Sequence, residues 1–205
     1  MRIIGGNKGG IRINIPKNLK LRPTTDRSKE ALFNILNNKI DYNQLYVLDL
    51  FSGTGNISYE FSSRGAEYVC SVEKNQKSVE FINHFKEIND LNIEAIKKDV
   101  FNFLNSTNKK FNVIFADPPY NLKEEDYYNL INIIFDKEII KINGTLIIEH
   151  SSKTLLDKHD YHKDSRKYGD CSFSFYKKLN NWLSGVSLLI FNLLYKISIY
   201  YLFLL

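Results

Sequence analysis

Apolar and polar positions follow two different rhythms along the chain. From residue 45, short and nearly unbroken apolar runs appear: LYVLDL (45–50), YVCSV (68–72), IEAI (93–96), FNVIFA (111–116) and GTLIIE (144–149). Helix-length stretches of mixed character lie between them. In QKSVEFINHFKEIN (76–89), Val79, Ile82, Phe85 and Ile88 recur at helical spacing. Strands alternating with helices predict an α/β fold, a mostly parallel sheet with helices on both faces. Strands without polar alternation fit, because such strands are buried on both sides.

The first 44 residues are patterned differently. RIIGG and IRINIP read as short strands or an extended arm. In RPTTDRSKEALFNILNNKI an apolar-periodic helix runs through Ala31, Leu32, Ile35 and Leu36, with Thr or Asp as a natural N-cap before it. The chain therefore divides into a basic arm and helix (1–44), an α/β domain (45–178) and a hydrophobic tail (179–205). The tail, with WLSGVSLLIFNLLYKISIYYLFLL at 182–205, is long enough for a bilayer, which needs roughly 20 residues. Asn192 and Lys196 interrupt it, and a central Lys costs roughly 2.5–3.5 kcal/mol on insertion scales. An appended segment foreign to the domain's design is favoured; a membrane anchor and a packed extra helix are the alternatives.

Charge changes the picture at one end only. The chain's net charge is +5, yet residues 1–30 alone carry eight basic side chains against two acidic ones. Such a basic end suits a polyanion, with phosphate contacts from Lys and Arg supplying much of the affinity; a solvated charged face is the plain alternative. Cys70 and Cys171 are too few for a disulfide framework and share no metal-type spacing, so buried reduced thiols and a cytoplasmic setting are expected. The N-terminus has no apolar core of a secretory signal. His84, His150, His159 and His162 form no metal or nucleophile pattern, and no metal is implied.

The candidate chemistry lies at successive strand ends. DLFSGTG (49–55) follows the first buried strand and leads into a helix, where glycines let backbone N–H groups approach a ligand. The spacing is not that of a dinucleotide loop, since Ser58 stands at the third glycine position. Asp49 would repel a pyrophosphate and suits a ligand with positive charge. Glu73 ends the second strand, where an acid can accept both hydroxyls of a ribose. Asp99 follows the third, placed for an adenine amino group or simply for capping a short helix. The fourth ends in Asp117-Pro118-Pro119-Tyr120. Two prolines fix two φ angles and remove two donors, making a rigid corner that presents a carboxylate and an aromatic ring.

This order resembles the S-adenosylmethionine-dependent methyltransferases, with their Rossmann-like fold. Their cofactor loop has the form seen here as Phe51-Ser52-Gly53-Thr54-Gly55, and D/N-P-P-Y/F marks members that methylate an exocyclic or amide nitrogen. The two motifs, in this order and about sixty residues apart, are far more specific together than singly. MRIIGG, RPTTDRSKEALFNIL and RKYGDCSFSFYKK (166–178) further resemble the bacterial 16S rRNA guanine-N2 methyltransferase family RsmD, over residues 1 to about 178. That resemblance implies methylation of one guanine N2 in 16S rRNA, within the small ribosomal subunit or its late assembly intermediate, by a monomer. It assigns catalysis to Asp117, Pro118, Pro119 and Tyr120. It assigns S-adenosyl-L-methionine to Asp49, Phe51, Ser52, Gly53, Thr54, Gly55, Glu73 and Asp99, and RNA to Arg22, Thr24, Thr25 and Arg27; the basic arm read from charge adds Arg2, Lys8 and Arg12 as RNA-contact candidates. The chain departs from the family at Gly10-Ile11, where more basic residues are usual, and in its hydrophobic tail.

Two other classes compete. One is an amino-methyltransferase of DNA adenine or protein glutamine; the absence of a separate target-recognition domain and DPPY in place of NPPY count against it. The other is a non-catalytic RNA-binding assembly factor, against which the intact Gly53, Gly55 and Asp117 argue.

Overall fold

In the computed structural model, residues 1–16, 19, 26–119 and 121–178 are described. Lys17, Lys20, Arg22, Thr24, Thr25, Tyr120 and the tail from 179 lie outside them. Twelve elements follow in order: α1 (Asp26–Asn37), β1 (Tyr46–Leu50), α2 (Asn56–Ser63), β2 (Tyr68–Glu73), α3 (Gln76–Ile88), β3 (Ile93–Lys97), α4 (Val100–Ser106), β4 (Phe111–Ala116), α5 (Glu124–Asp136), β5 (Ile140–Ser151), β6 (His162–Tyr168) and β7 (Cys171–Tyr176). The sheet order is β3-β2-β1-β4-β5-β7-β6. β1 to β5 pair in parallel, and β7 runs antiparallel to both its neighbours. Strand order reverses between β1 and β4, the place where ligands bind in open α/β sheets.

Because side chains alternate across a strand, each apolar run feeds two cores. Leu48, Leu50, Cys70, Val72, Ile114, Ala116, Leu146 and Ile148 pack on one face with Phe103 and Leu104 of α4 and Leu130, Ile131 and Ile134 of α5. Val47, Val69, Val113, Phe115, Ile147 and Phe173 pack on the other with α1, α2 and α3 through Leu32, Phe33, Tyr59, Phe61, Ile82 and Phe85. Ile88 does not join this stripe: it is the last residue of α3 and is 68% exposed. β5 begins at Ile140, ahead of the GTLIIE run, because Ile140 pairs with Phe111 across a register shift. β6, HKDSRKY, is a polar edge strand that begins at His162. Both cysteines are buried free thiols, and burial pushes Cys70 up to about 12.

The arm is a hairpin closed by the Arg2–Arg12 bridge and by Ile3 N–H to Ile11 O and Ile13 N–H to Met1 O, both 2.9 Å. Ile3 and Ile13 sink into the second core. Glu60 of α2, fully buried, takes the Ile4 and Gly5 N–H groups at 2.8 Å each. Lys29 of α1, also fully buried, lies 3.2 Å from Glu60 and donates to Arg2 O at 2.6 Å and Asn56 Oδ1 at 2.8 Å. Arg64 adds a fourth partner to Glu60 at 2.7 Å. Burial pulls the Lys29 ammonium below its usual range, against the opposing pull of Glu60. At Gly6, φ is +79° and a Cβ would lie 1.9 Å from Ser63 O, so only glycine lets the hairpin approach α2 this closely. Lys29 thus fastens the arm and contributes none of its charge to the surface.

Glu60→Ala strands the Lys29 ammonium in this junction. It is expected to cost about 3–5 kcal/mol in urea unfolding and to expose the Ile4 and Gly5 amides to hydrogen exchange.

Candidate active site

The core face shared with α1, α2 and α3 changes character toward the strands' carboxyl ends. Two residues beyond Val47 stands Asp49, two beyond Phe115 stands Asp117, and two beyond Ile147 stands Glu149. Glu73 ends β2, four residues beyond Val69 on the same alternation. Four adjacent parallel strands therefore turn apolar positions into carboxylates along one edge.

The turn after β1 is sharply wound. Phe51, Gly53 and Gly55 have φ of 58°, 54° and 80°. For Phe51 that conformation costs on the order of 1–3 kcal/mol, strain of the kind held at functional sites. A Cβ on Gly55 would meet the fixed Tyr59 ring at 2.9 Å. Glu73 clamps the loop: Gly53 N–H donates to one of its oxygens at 3.0 Å and Asn75 N–H to the other at 2.8 Å. A carboxylate oxygen has a second lone pair, so both can still accept a hydroxyl. Ser58, at the position where a dinucleotide loop has its third glycine, gives Asp49 Oδ2 its N–H at 3.1 Å and its hydroxyl at 2.5 Å, and its hydroxyl also meets that of Ser71. Asp49 is 2% exposed. Burial pushes its carboxyl up to about 7 despite the Ser58 donors, with the charges of Asp117 and Glu73 adding to the rise. Asp99 caps α4 by accepting Asn102 N–H at 3.1 Å.

A cavity of about 740 Å³ runs along this edge, within the range of small-molecule sites. Of the residues singled out in the sequence, Asp49, Phe51, Ser52, Gly53, Thr54, Glu73, Asp99, Asp117, Pro118, Pro119 and Arg27 line it. Gly55 does not line it: a Cβ there would meet Tyr59 and Ile82. Arg2, Lys8 and Arg12 do not line it: they belong to the arm, with Arg2 and Arg12 exposed and Lys8 half-buried. Arg27, exposed in the first turn of α1, connects the basic end to the cavity rim. Pro119 O accepts Leu122 N–H at 2.9 Å, so the two prolines open a tight turn, as their φ restriction demands. Tyr120, Arg22, Thr24 and Thr25 lie outside the described residues.

Sequence reasoning passed over Ser28, Asn56, Glu149 and the β6–β7 turn (Tyr168, Gly169, Asp170, Cys171), all of which line the cavity. Glu149 carried a signal, since it ends an apolar run as Asp117 follows one; the β6–β7 turn carried none that periodicity detects. Six acids and three bases line the cavity. Its interior is thus anionic in a chain whose net charge is +5, which disfavours phosphate and favours a cationic, donor-rich ligand. Among the described residues, no group of His, Cys, Asp and Glu could hold a metal ion, and no helix is long and apolar enough to cross a membrane.

The family model described as "Conserved hypothetical protein 95" matches residues 1–177. The ribosomal RNA small subunit methyltransferase D of Buchnera aphidicola subsp. Acyrthosiphon pisum is 34% identical over 74% of this chain and 78% of its own. The chain belongs to the RsmD family. Among solved structures, "Putative methyltransferase yhhF from Escherichia coli" shares 26% identity with a TM-score of 0.74, covering 87% of this chain and 97% of its own. "SMU.776, a putative methyltransferase complexed with SAH" matches at 20% identity and a TM-score of 0.62, over 73% of this chain and 49% of its own, a likeness of fold. The Rossmann-like fold expected from the resemblance to the S-adenosylmethionine-dependent methyltransferases is the one observed.

The raised carboxyl of Asp49 sets a pH dependence in this RsmD-family chain. Unfolded, the group ionises near 4; folded, it holds its proton to about 7. Its contribution to stability therefore falls as pH rises from about 4 to about 7 and is flat beyond. Asp49→Asn keeps an acceptor for Ser58 but cannot ionise. Chemical denaturation at pH 5 and pH 8 is expected to show the variant gaining on wild type by on the order of 1–3 kcal/mol at the higher pH.

Proposed function

We propose that the protein transfers a methyl group from S-adenosyl-L-methionine to the exocyclic N2 of a guanine in 16S rRNA, on the small ribosomal subunit or its late assembly intermediate in the cytoplasm. RsmD-family membership supports the broader part, S-adenosylmethionine-dependent methylation of rRNA. The observation that carries the rest is that the Asp117-Pro118-Pro119 corner and the glycine loop clamped by Glu73 open into one cavity.

The residues present fit the cofactor. Glu73 keeps acceptor capacity for ribose hydroxyls, Asp99 lines the same cavity and would accept from an adenine amino group, and Asp49 stands beside the loop where positive charge is favoured. When bound, S-adenosylmethionine supplies a methyl group already activated on a sulfonium.

The chain's own residues prepare the acceptor. An exocyclic amine is a poor nucleophile because its lone pair is delocalised into the ring. Asp117, and the Pro118 carbonyl beside it, can accept its two N–H bonds, which favours a pyramidal nitrogen and aims the lone pair at the methyl. Consecutive prolines hold these acceptors rigid, where orientation contributes most. Reaching the cavity requires the base to leave its stack, and Tyr120 is the aromatic residue in sequence to hold it. Outside, Arg2, Lys8, Arg12 and Arg27, together with Arg22, Thr24 and Thr25, would contact the RNA backbone.

The test incubates the protein, as full chain, with labelled S-adenosylmethionine and small subunits lacking the modification, then reads the digested RNA. Label in N2-methylguanine is expected. Label in another nucleoside, or only in DNA or protein substrates, contradicts the proposal. Asp117→Ala is expected to slow single-turnover transfer by at least about 10²-fold while cofactor affinity stays within about threefold. Unchanged turnover in that variant removes Asp117 from the mechanism.

A further inference from the structure

Glu149 is the strand-end carboxylate for which the mechanism above has no task. It is 5% exposed, lines the cavity, and stands near the end of β5. In the β4–β5 ladder Ala116 lies opposite Ile148, so Asp117 and Glu149 occupy the next level side by side on strands about 4.8 Å apart. Both continue the same face, beyond Phe115 and Ile147. On the far side, β7 places Cys171 opposite Ser151, on that face too, with its thiol 3.7 Å from Ser28 Oγ. Asp49 and Glu73 lie on the opposite side of Asp117, on β1 and β2. The carboxylate of Glu149 is thus beyond Asp117 when viewed from the glycine loop, on the acceptor's side of the cavity.

A carboxylate only accepts hydrogen bonds. Two of them side by side select a partner with two adjacent donors. On its pairing edge guanine has the N1–H next to the N2 amine. Adenine and cytosine set a ring nitrogen lone pair beside their amine, and uracil has a single N–H between two carbonyls. Resting on the guanine-N2 reading, we infer that Glu149 determines base specificity: it accepts the N1–H of the guanine while Asp117 accepts from the N2 amine. A wrong amine-bearing base turns its lone pair against the buried Glu149 charge. Sites built to bond a particular N–H reject analogues that lack it far more strongly than apolar pockets reject a shape.

The role separates from simple support of the wall by a change of one acceptor atom. Small subunits are reconstituted with guanine or with 2-aminopurine at the modified position; 2-aminopurine keeps the amine but has a lone pair at N1. Wild type is expected to favour guanine by about 10²-fold or more in kcat/KM. Glu149→Gln can turn its amide N–H toward N1, so its preference is expected to collapse to within about tenfold, with 2-aminopurine methylated faster than by wild type. A wall-support role lowers both rates together and leaves the ratio unchanged; that result overturns the inference. So does a wild-type ratio near one, which needs no variant. If wild type fails to methylate the guanine subunits at all, the guanine-N2 reading itself has failed.

Discussion

Burying carboxylates next to one another is the constraint around which this molecule is arranged. Four adjacent parallel strands bring Glu73, Asp49, Asp117 and Glu149 to one edge, all on the face that further back holds valines, isoleucines and phenylalanines. Like charges in a poorly hydrated cleft repel, and the fold offsets this with donors: Ser58 for Asp49, and the Gly53 and Asn75 amides for Glu73. The left-handed backbone at Phe51, Gly53 and Gly55 bends the loop so that such amides point inward. What remains is a cavity short of positive charge inside a protein with an excess of it. On the proposed reading, the basic outside suits a polyanion, and the inside suits a donor-bearing base edge together with a cationic methyl donor.

The second organising contact is the Lys29–Glu60 pair. Fully buried ion pairs add little net stability, because desolvation offsets their attraction, but breaking one is costly. Here the pair joins three segments that no strand pairing connects: the arm through Arg2, Ile4 and Gly5, α1 through Lys29, and α2 through Glu60 and Asn56. Since α2 starts at the glycine loop, the arm and that loop share one buried junction.

Much of this was legible in the sequence, for stated physical reasons. Strands buried on both faces must be apolar throughout, so LYVLDL and FNVIFA announced β1 and β4 almost to the residue. Residues that end such runs fall at the sheet's carboxyl edge, so Asp49, Glu73 and Asp117 could be placed together. β6 was not legible, because an exposed edge strand is under no pressure to alternate and its charges also guard the edge. Lys29 read as one more surface charge, since nothing local distinguishes a buried lysine from a solvated one; its partner lies 31 positions away in the sequence. Glu149 shared the pattern of its neighbours, but that pattern acquires meaning only when β5 is known to lie beside β4.

The central claim is that the strand-end carboxylates grip the acceptor base by its N–H groups. A ternary structure with S-adenosylhomocysteine and an RNA fragment carrying the target guanine tests it most directly. The account predicts the guanine flipped into the cavity, with N2 within hydrogen-bonding distance of the Asp117 carboxylate and the cofactor sulfur facing that nitrogen. A guanine held by backbone or basic groups away from Asp117, with the carboxylates turned from its N–H edge, would contradict it.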